Sequence, residues 1–390
     1  MHTFQSWGVE RFTLLLVAQI VALVVVGVRL WPGRMRRAPT PPHLAEITDT
    51  TVSVIVPTLN EAGRIAPCLA GLRAQVRPLL EILIVDSGST DDTRELVADA
   101  AALDPRLRLL TDDPRPADWV GKVWALEQGL HAARGEWVLG IDADVEPRPG
   151  LVAGVVAAAR EAGYAVVSFS PRFAAQSAWE QLVQPALLLT LVYRGGTAGS
   201  ERDPERLIAN GQCFLARRDV LLRHGGYAPA RESFADDVTL ARHLARRGER
   251  VGFLDGSRLF LVRAYASAAE MWREWGRSLD LRQATRATRQ WPDVLFLVAV
   301  QGLPLPMLAL LGAVAWTSTL TPAARALVAV NGLLLAIRLL LLRPLSHSYE
   351  QPGAPFWLSW LADPLAVVRI LLSTVQRRRQ WRGRRYTRAG

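Results

Sequence analysis

The 390-residue chain has almost no lysine: of its 46 basic residues, only Lys122 is not an arginine. Its two cysteines, Cys68 and Cys213, lie far apart and lack the close spacing of metal ligands. That excludes a disulfide-stapled scaffold and a cysteine-based zinc site, and free thiols are expected. Internal repeats and low-complexity blocks are missing as well. The net charge of +10 is not gathered into one folded basic face, because the arginines cluster beside apolar runs and in the tail from Arg377 to Arg388. Anionic lipid headgroups, and not nucleic acid, are the expected partner of that charge.

What the chain does have is long apolar runs. Phe12 to Trp31 carries only Gln19 and Arg29 as strongly polar residues, and about 20 apolar residues suffice to cross a bilayer. Arg34, Arg36 and Arg37 follow it and assign its C-terminal end to the cytoplasm. A cleaved signal peptide is the competing reading, disfavoured because the basic cluster follows the apolar run instead of preceding it. Asp293–Trp316 and Ala323–Leu342 are also long enough to span. Phe356–Val375 is interrupted by Asp363, Pro364 and Arg369 and reads as interfacial or re-entrant, since a further crossing would carry the arginine-rich tail outside. The expected plan is an anchor over 1–37, a Pro-rich linker over 38–50, a globular domain over 51–266, an amphipathic interfacial helix over 267–292, membrane segments over 293–376 and a basic tail over 377–390.

Within the globular part, β-branched runs at 52–57, 81–86, 106–111, 136–142 and 164–170 alternate with helical stretches. The alternation predicts an α/β fold with a mostly parallel sheet covered by helices on both faces. Such sheets bind ligands at the carboxyl ends of their strands. Three polar stretches fall there. In Glu136–Asp144, EWVLGIDAD, an apolar strand ends in Asp142 and Asp144, which can share one hard divalent cation with a nucleotide diphosphate. Pro57 to Glu61 follows the first strand, with Asn60 able to cap the next helix. Asp86 ends the second, and Asp91 and Asp92 suit the first turn of the helix after it. Lys122 opens a helix just before the Asp-x-Asp strand, and a lone lysine among arginines is not an interchangeable surface charge. Ser177–Tyr193, divided by Pro185, reads either as a buried core helix or as a segment lying in the membrane interface. Ser267–Gln290 mixes Trp272, Trp275 and Leu279 with Arg273, Arg277 and Arg282, as an amphipathic helix on a membrane surface would.

Taken in order, VSVIVPTLNE at 52–61, LIVDSGSTDDT at 83–93, WVGKVWAL at 119–126, EWVLGIDAD at 136–144 and ESFADDVTLA at 232–241 resemble the family 2 glycosyltransferases with a GT-A (Rossmann-like) catalytic domain. The resemblance implies that Pro57, Asn60 and Glu61 hold the nucleotide, that Asp86 binds its base, and that Lys122 lies near it. Ser87 stands where the family usually has a second aspartate. Asp142 is then near ribose or metal, and Asp144 coordinates Mg2+ or Mn2+. Asp237, supported by Asp236, is the implied general base, which means direct displacement with inversion. Asn210, Gly211 and Gln212 belong to the acceptor wall. Processive members carry Gln-x-x-Arg-Trp, from which Glu270-Met-Trp-Arg273-Glu-Trp275 departs; Arg273 and Trp275 remain acceptor-side, interfacial candidates for a single transfer. The tail Trp381-Arg-Gly-Arg-Arg-Tyr386 resembles the ending of carotenoid- and hopanoid-associated members. The expected protein is a multi-pass membrane enzyme with a cytoplasmic catalytic domain, moving one hexose from a UDP-linked sugar to a hydroxyl of a terpenoid membrane lipid. A ceramide or diacylglycerol acceptor, a nucleotidyltransferase and a non-catalytic nucleotide-sugar-binding scaffold are the rival readings. A scaffold would have no need of the base.

Overall fold

A computed structural model describes residues 2–31, 33, 37–197, 203–263, 265, 268–278, 285, 287–375, 380–381 and 384–385, without the side chains of 2–11, 275–278, 287, 380–381 and 384–385. The chain divides into two compact units. One is α/β and comprises Arg36–Ala174, Ala198–Tyr265 and Arg378–Gly390; the other is helical and comprises Met1–Met35, Ala175–Thr197 and Ala266–Arg377. The segment Ala175–Thr197 therefore leaves the 51–266 stretch expected to form one domain.

In chain order, helix α1 (His2–Leu30) precedes β1 (Val52–Thr58), α2 (Ile65–Arg73), β2 (Leu79–Asp86), α3 (Thr93–Leu103), β3 (Leu107–Thr111), α4 (Gly121–Ala132) and β4 (Trp137–Ile141). Then come β5 (Val145–Pro147), α5 (Leu151–Ala162), β6 (Val166–Ser170), β7 (Arg172–Phe173) and α6 (Ala178–Gly195). β8 (Cys213–Arg217), α7 (Arg218–Arg223), α8 (Asp236–Arg246), β9 (Val251–Asp255) and β10 (Phe260–Val262) follow in the α/β unit. The helices α9 (Ala268–Ser278), α10 (Ala287–Leu297), α11 (Pro304–Thr317), α12 (Pro322–Leu340), α13 (Leu342–Ser346), α14 (Ala354–Trp357) and α15 (Asp363–Val375) follow.

The main sheet has the order β3-β2-β1-β4-β8-β6-β9. Its first four strands are parallel, whereas β8 runs antiparallel to both β4 and β6. The central parallel strands are largely apolar because helices cover both faces: Val54, Ile55, Val56, Leu83, Ile84 and Leu139 are all fully buried. Helix α4 packs Val123, Leu126 and Leu130 onto Ile55, Leu83 and Val85. Gly129 permits the close approach, since a Cβ there would stand 2.4 Å from Ile55. From β1 the order runs through β2 to β3 on one side and through β4 on the other, so it reverses between β1 and β4. The crevice of such a sheet opens there, outside the carboxyl ends of the two strands. A small second sheet, β5-β10-β7, starts immediately after Asp144.

Buried polar contacts tie the helical unit together. Gln19 of α1 and Asn331 of α12 exchange reciprocal side-chain hydrogen bonds, each of 2.8 Å. Arg338 of α12 lies against Asp363 at the start of α15, with Nε donating to Oδ2 at 2.8 Å, and its Nη2 donates to Ser359. Helix α6 is fixed at its start by a reciprocal Ser177–Glu180 capping box, and Pro185 lies inside it without ending it. Gln301 donates to the Ala186 carbonyl of α6 at 2.7 Å, which ties this segment to the helical unit. Among the described residues, two stretches are long and apolar enough to cross a membrane, Phe12–Leu30 and Pro322–Ser346. The run expected to span at 293–316 is instead divided: a π-turn at Val298–Gly302 precedes Pro304, and the two halves meet at 49°. Proline has no N–H for the preceding turn and its ring crowds the carbonyl four residues back, which bends the path. The bent pair makes a third candidate span if it crosses as one. The 356–375 stretch is broken into α14, a 3-10 turn at Ser359–Ala362 and α15, none of which is long enough to cross.

Candidate active site

The loops after β1 and β2 are built on each other. Asn60 adopts a left-handed backbone, φ 56°, and its side-chain oxygen accepts from the Thr90 N–H at 2.8 Å, while its own N–H donates to Ser89 Oγ at 2.9 Å. It therefore bridges to the β2–α3 loop and does not cap α2, whose first turn has no side-chain cap. The Glu61 N–H donates to Thr93 Oγ1 and the Ala62 N–H to Asp91. Asp91 also accepts from the Thr93 N–H at 3.1 Å and from the Thr93 hydroxyl; partial burial works to raise its carboxyl, but the Thr93 hydroxyl and then the N–H groups of Ala62 and Thr93 hold it below the usual carboxylate range. Asp92 is the backbone N-cap of α3 but makes no side-chain cap.

Asp86 is buried at the tip of β2 and accepts from the N–H groups of Gly88 and Ser89 and from the Ser89 hydroxyl. Arg94 stands 3.7 Å from it. The carboxylate thus organises its own loop at the ligand edge. Ser87, where a second aspartate was expected, donates to Asp112 Oδ2 at 2.6 Å.

At the end of β4 a second constellation forms. Lys122, on the first turn of α4, has its Nζ 2.6 Å from Asp142 Oδ1. The Gly211 N–H donates to Asp237 Oδ2 at 2.7 Å, and the Val238 N–H donates to Asp237 Oδ1 at 2.7 Å. Gly211 closes the circle: a Cβ on it would lie 3.0 Å from Lys122 Nζ and 3.6 Å from Asp237. A side chain here would crowd the Lys122 ammonium unless the lysine gave way by a few tenths of an ångström. Asn210 and Gln212 bond to each other around it, Asn210 Nδ2 donating to Gln212 Oε1 at 3.2 Å.

The charges of this cluster are strongly coupled. Burial works against the ammonium of Lys122, yet the fields of Asp142, Asp236 and Asp237 more than offset it and hold the lysine well above its ordinary value. Burial, and then the field of Asp236, push the Asp237 carboxyl up to about 7, against the opposing pull of Lys122 and the two backbone N–H groups. A carboxyl poised near neutrality, with two fixed donors aiming its oxygens, is suited to take a proton at physiological pH.

Asp142 and Asp144 flank a turn closed by the Val145 N–H on the Asp142 carbonyl at 3.1 Å. Beneath them lies Cys68 of α2, whose thiol is pushed up first by burial and then by the fields of Asp144, Asp142 and Glu61. Asp144, Asp142 and Glu61 thus all lie within electrostatic reach of this thiol. Hard oxygen donors of this kind fit Mg2+ or Mn2+. Among the described residues no three acidic, histidine or cysteine side chains form a ready-made metal cage, so a cation here would take its remaining ligands from a diphosphate and water. Both cysteines are free and buried.

The structure therefore brings together Lys122, Asp142, Gly211, Asp236 and Asp237, with Pro57, Asn60, Glu61 and Asp86 on the adjoining strand ends. Arg273 is exposed on α9 in the helical unit; the side chain of Trp275, with Leu279, Arg282 and Tyr386, lies outside the described residues. Two buried groups near the cluster belong to none of the motifs. Glu127 accepts from the Tyr227 N–H at 2.7 Å, and Tyr227 is buried behind β4. One of them was readable: 123, 126, 127 and 130 form one helical face, so Glu127 occupies a core position.

Residues 53–225 match the family described as Glycosyl transferase family 2. Succinoglycan biosynthesis protein ExoA of Rhizobium meliloti is 41% identical over 71 residues, 18% of this chain and 21% of that protein. Dolichyl-phosphate beta-glucosyltransferase ALG5C of Trichomonas vaginalis is 33% identical over 111 residues, 26% of this chain and 32% of that protein. The chain thus spans about a fifth to a third of the length of these relatives. Among solved structures, the mannosyltransferase PcManGT from Pyrobaculum calidifontis, in complex with GDP-Man and Mn2+, shares the fold with a TM-score of 0.51 over 91% of this chain and 99% of that one, at 21% identity. The α/β unit with its reversed strand order, the carboxylates at the strand ends and the family match over 53–225 agree: the chain carries a family 2 glycosyltransferase domain.

Proposed function

We propose that this protein transfers one hexose from a nucleotide sugar, UDP-linked, to a hydroxyl of a membrane lipid, with inversion at the anomeric carbon and with help from a divalent cation. The observation that carries the reading is the convergence of Lys122, Asp142, Gly211 and Asp237 at the end of β4. Asp142 and Asp144 would hold Mg2+ or Mn2+, whose chemistry there is to neutralise charge on the departing diphosphate. Asn60, Glu61 and Asp86, on loops braced against each other, form the side that receives the nucleotide. Lys122 adds a fixed positive charge beside the phosphates. Asp237 accepts the proton of the acceptor hydroxyl while its oxygen forms the bond to the anomeric carbon and the bond to the phosphate oxygen breaks. The nucleoside diphosphate leaves on the opposite face, which gives inversion.

A lipid acceptor is supported by the two stretches apolar enough to span a membrane, and Arg34, Arg36 and Arg37 favour a cytoplasmic catalytic unit in a multi-pass protein. The W-x-G-K at Trp119–Lys122 and the tail ending at Tyr386 favour a carotenoid- or hopanoid-type terpenoid as acceptor, with Arg273 and Trp275 on the interfacial side. The test is lipid extraction from cells expressing wild type or Asp237→Asn, followed by mass spectrometry. Species heavier by one hexose are expected with wild type alone, and their aglycone names the acceptor. Identical lipid profiles from both, in cells that make terpenoid lipids, would overturn the lipid acceptor.

A further inference from the structure

Two of the motifs at the site are each preceded by one charged residue, and those two residues meet. Asp118 stands immediately before the Trp119–Lys122 stretch and Arg231 immediately before ESFADDVTLA at 232–241, and the Arg231 Nε lies 3.1 Å from Asp118 Oδ2. The main chain repeats the contact, since the Val120 N–H donates to the Arg231 carbonyl at 2.7 Å. Val120 is the N-cap of α4, and Lys122 is two residues further on. From Arg231 onward the chain has little freedom. The Ser233 N–H donates to the Ala230 carbonyl at 2.8 Å. The buried Ser233 hydroxyl accepts from the Ala235 N–H at 3.2 Å and shares a 2.8 Å hydrogen bond with Thr239 Oγ1, in the first turn of α8. Asp237 lies in that same turn, its carboxylate received by the N–H groups of Gly211 and Val238. An unbroken series of short contacts therefore runs from the start of α4, which carries Lys122, to the start of α8, which carries Asp237.

We propose that the 231–235 turn is a brace that fixes the general base relative to the lysine beside the departing diphosphate, with Arg231 and Ser233 as positioning residues for the transfer. This rests on the reading of Asp237 as that base. In a direct displacement the attacking oxygen stands between the base and the anomeric carbon, and the diphosphate leaves on the far side. The rate then depends on the separation of the two elements, and a misplacement of about 1 Å can cost on the order of 10²-fold. Arg231 secures the lysine side, through Asp118 and Val120; Ser233 secures the base side, through Ala235 and Thr239. Folding alone gives the ion pair little reason to exist, because side chains 47% and 48% exposed contribute little by pairing.

The test uses the full chain in detergent as wild type, Asp118→Asn, Asp118→Glu, Val120→Pro, Ser233→Ala and Asp237→Asn. The control is Glu205→Gln, which breaks the Arg246–Glu205 ion pair at the far end of α8. Val120 has φ −69°, which proline accepts, so Val120→Pro deletes the N–H that meets Arg231. Lys122 carries the sole ε-amine of the chain. Its acetylation by an amine-directed ester, read by peptide mass spectrometry below the thermal midpoint, therefore follows the lysine without any substrate. The amine reacts only when it has left Asp142. Asp118→Asn should raise the acetylation rate on the order of threefold, within what a half-exposed ion pair can supply, and Val120→Pro should raise it further. Asp118→Glu, Ser233→Ala and Glu205→Gln should react like wild type. Wild-type rates in both Asp118→Asn and Val120→Pro would mean that Arg231 does not hold Lys122, and would overturn the proposal whatever the thermal midpoints do.

Release of UDP from UDP-glucose and of GDP from GDP-mannose, each with Mn2+, gives the second readout. In Ser233→Ala kcat should fall on the order of tenfold, and in Asp118→Asn about threefold, with donor KM unchanged. Asp118→Glu should restore the rate and Glu205→Gln should match wild type. If Asp237→Asn turns over like wild type, the base assignment fails, whatever the other variants do. If Asp237→Asn is inactive while Asp118→Asn and Ser233→Ala match wild type, the positioning role alone fails. If wild type releases neither nucleotide, the donor reading fails, and the acetylation rates decide whether Arg231 holds Lys122.

Discussion

In the proposed reaction two carboxylates have different parts, and they make different predictions. As the proposed base, Asp237 must be ionised to accept a proton, and its carboxyl is pushed up to about 7 by burial and Asp236. Below that value the base is progressively protonated, so kcat/KM should fall about tenfold per pH unit on the acid side and level off above about pH 8. Initial rates of nucleoside diphosphate release across that range check the sign. Asp237→Asn should lose roughly 10² to 10⁴ in kcat and abolish the acid limb. Asp144 is a different case, because its proposed part is to help a cation neutralise charge at the diphosphate. Asp144→Ala should nearly abolish turnover at any pH, and raising Mn2+ should not restore it. A variant within a few fold of wild type would remove Asp144 from the metal site.

At the scale of elements, sequence patterns revealed those parts in which one physical requirement dominates. Five strands were legible because a parallel strand buried on both faces is largely apolar; β4 is so throughout, while β2 admits Glu81 and the half-exposed β3 admits Arg108. Asp142 and Asp144 were legible because polar residues directly after such a strand fall on the ligand edge. Long-range geometry left no local trace. That Asn60 turns left-handed to hold Thr90, or that Gly211 admits both Lys122 and Asp237, depends on residues dozens of positions away. The apolar count over 293–316 likewise could not show the bend, since hydropathy is blind to the missing N–H of Pro304. Inside the helical unit the reciprocal amides of Gln19 and Asn331 give a testable energy. Gln19→Leu leaves Asn331 buried without its partner and should cost about 1 kcal/mol in detergent unfolding. Adding Asn331→Leu should recover much of that loss, because two apolar groups in place of a paired amide can be nearly neutral. Additive losses in the double variant would mean that the two amides do not act as a pair.

For the whole molecule, the decisive quantity is apolar surface that the described residues leave uncovered. Along α1, Leu14, Val24 and Val28 are 72%, 61% and 68% exposed, and Trp316 at the end of α11 is 91% exposed. Soluble monomers rarely leave contiguous apolar patches above a few hundred Å², and α1 and α12 each present such a face along a full bilayer-length helix. The Gln19–Asn331 pair joins these same two helices on their inner sides, so the outward residues are the ones left to meet lipid. A bilayer is the environment that removes this surface from water, at about 25 cal/mol per Å². The full chain should therefore stay in the membrane pellet after an alkaline carbonate wash, which strips peripheral proteins. A charged residue on the outward face, such as Val24→Arg, should weaken that retention, since arginine at the centre of a span costs about 2.5 to 3.5 kcal/mol on insertion scales. The inward Gln19→Leu should not weaken it. Release of wild type by the wash would leave the family 2 domain untouched, but would move the acceptor away from the bilayer and toward a soluble hydroxyl.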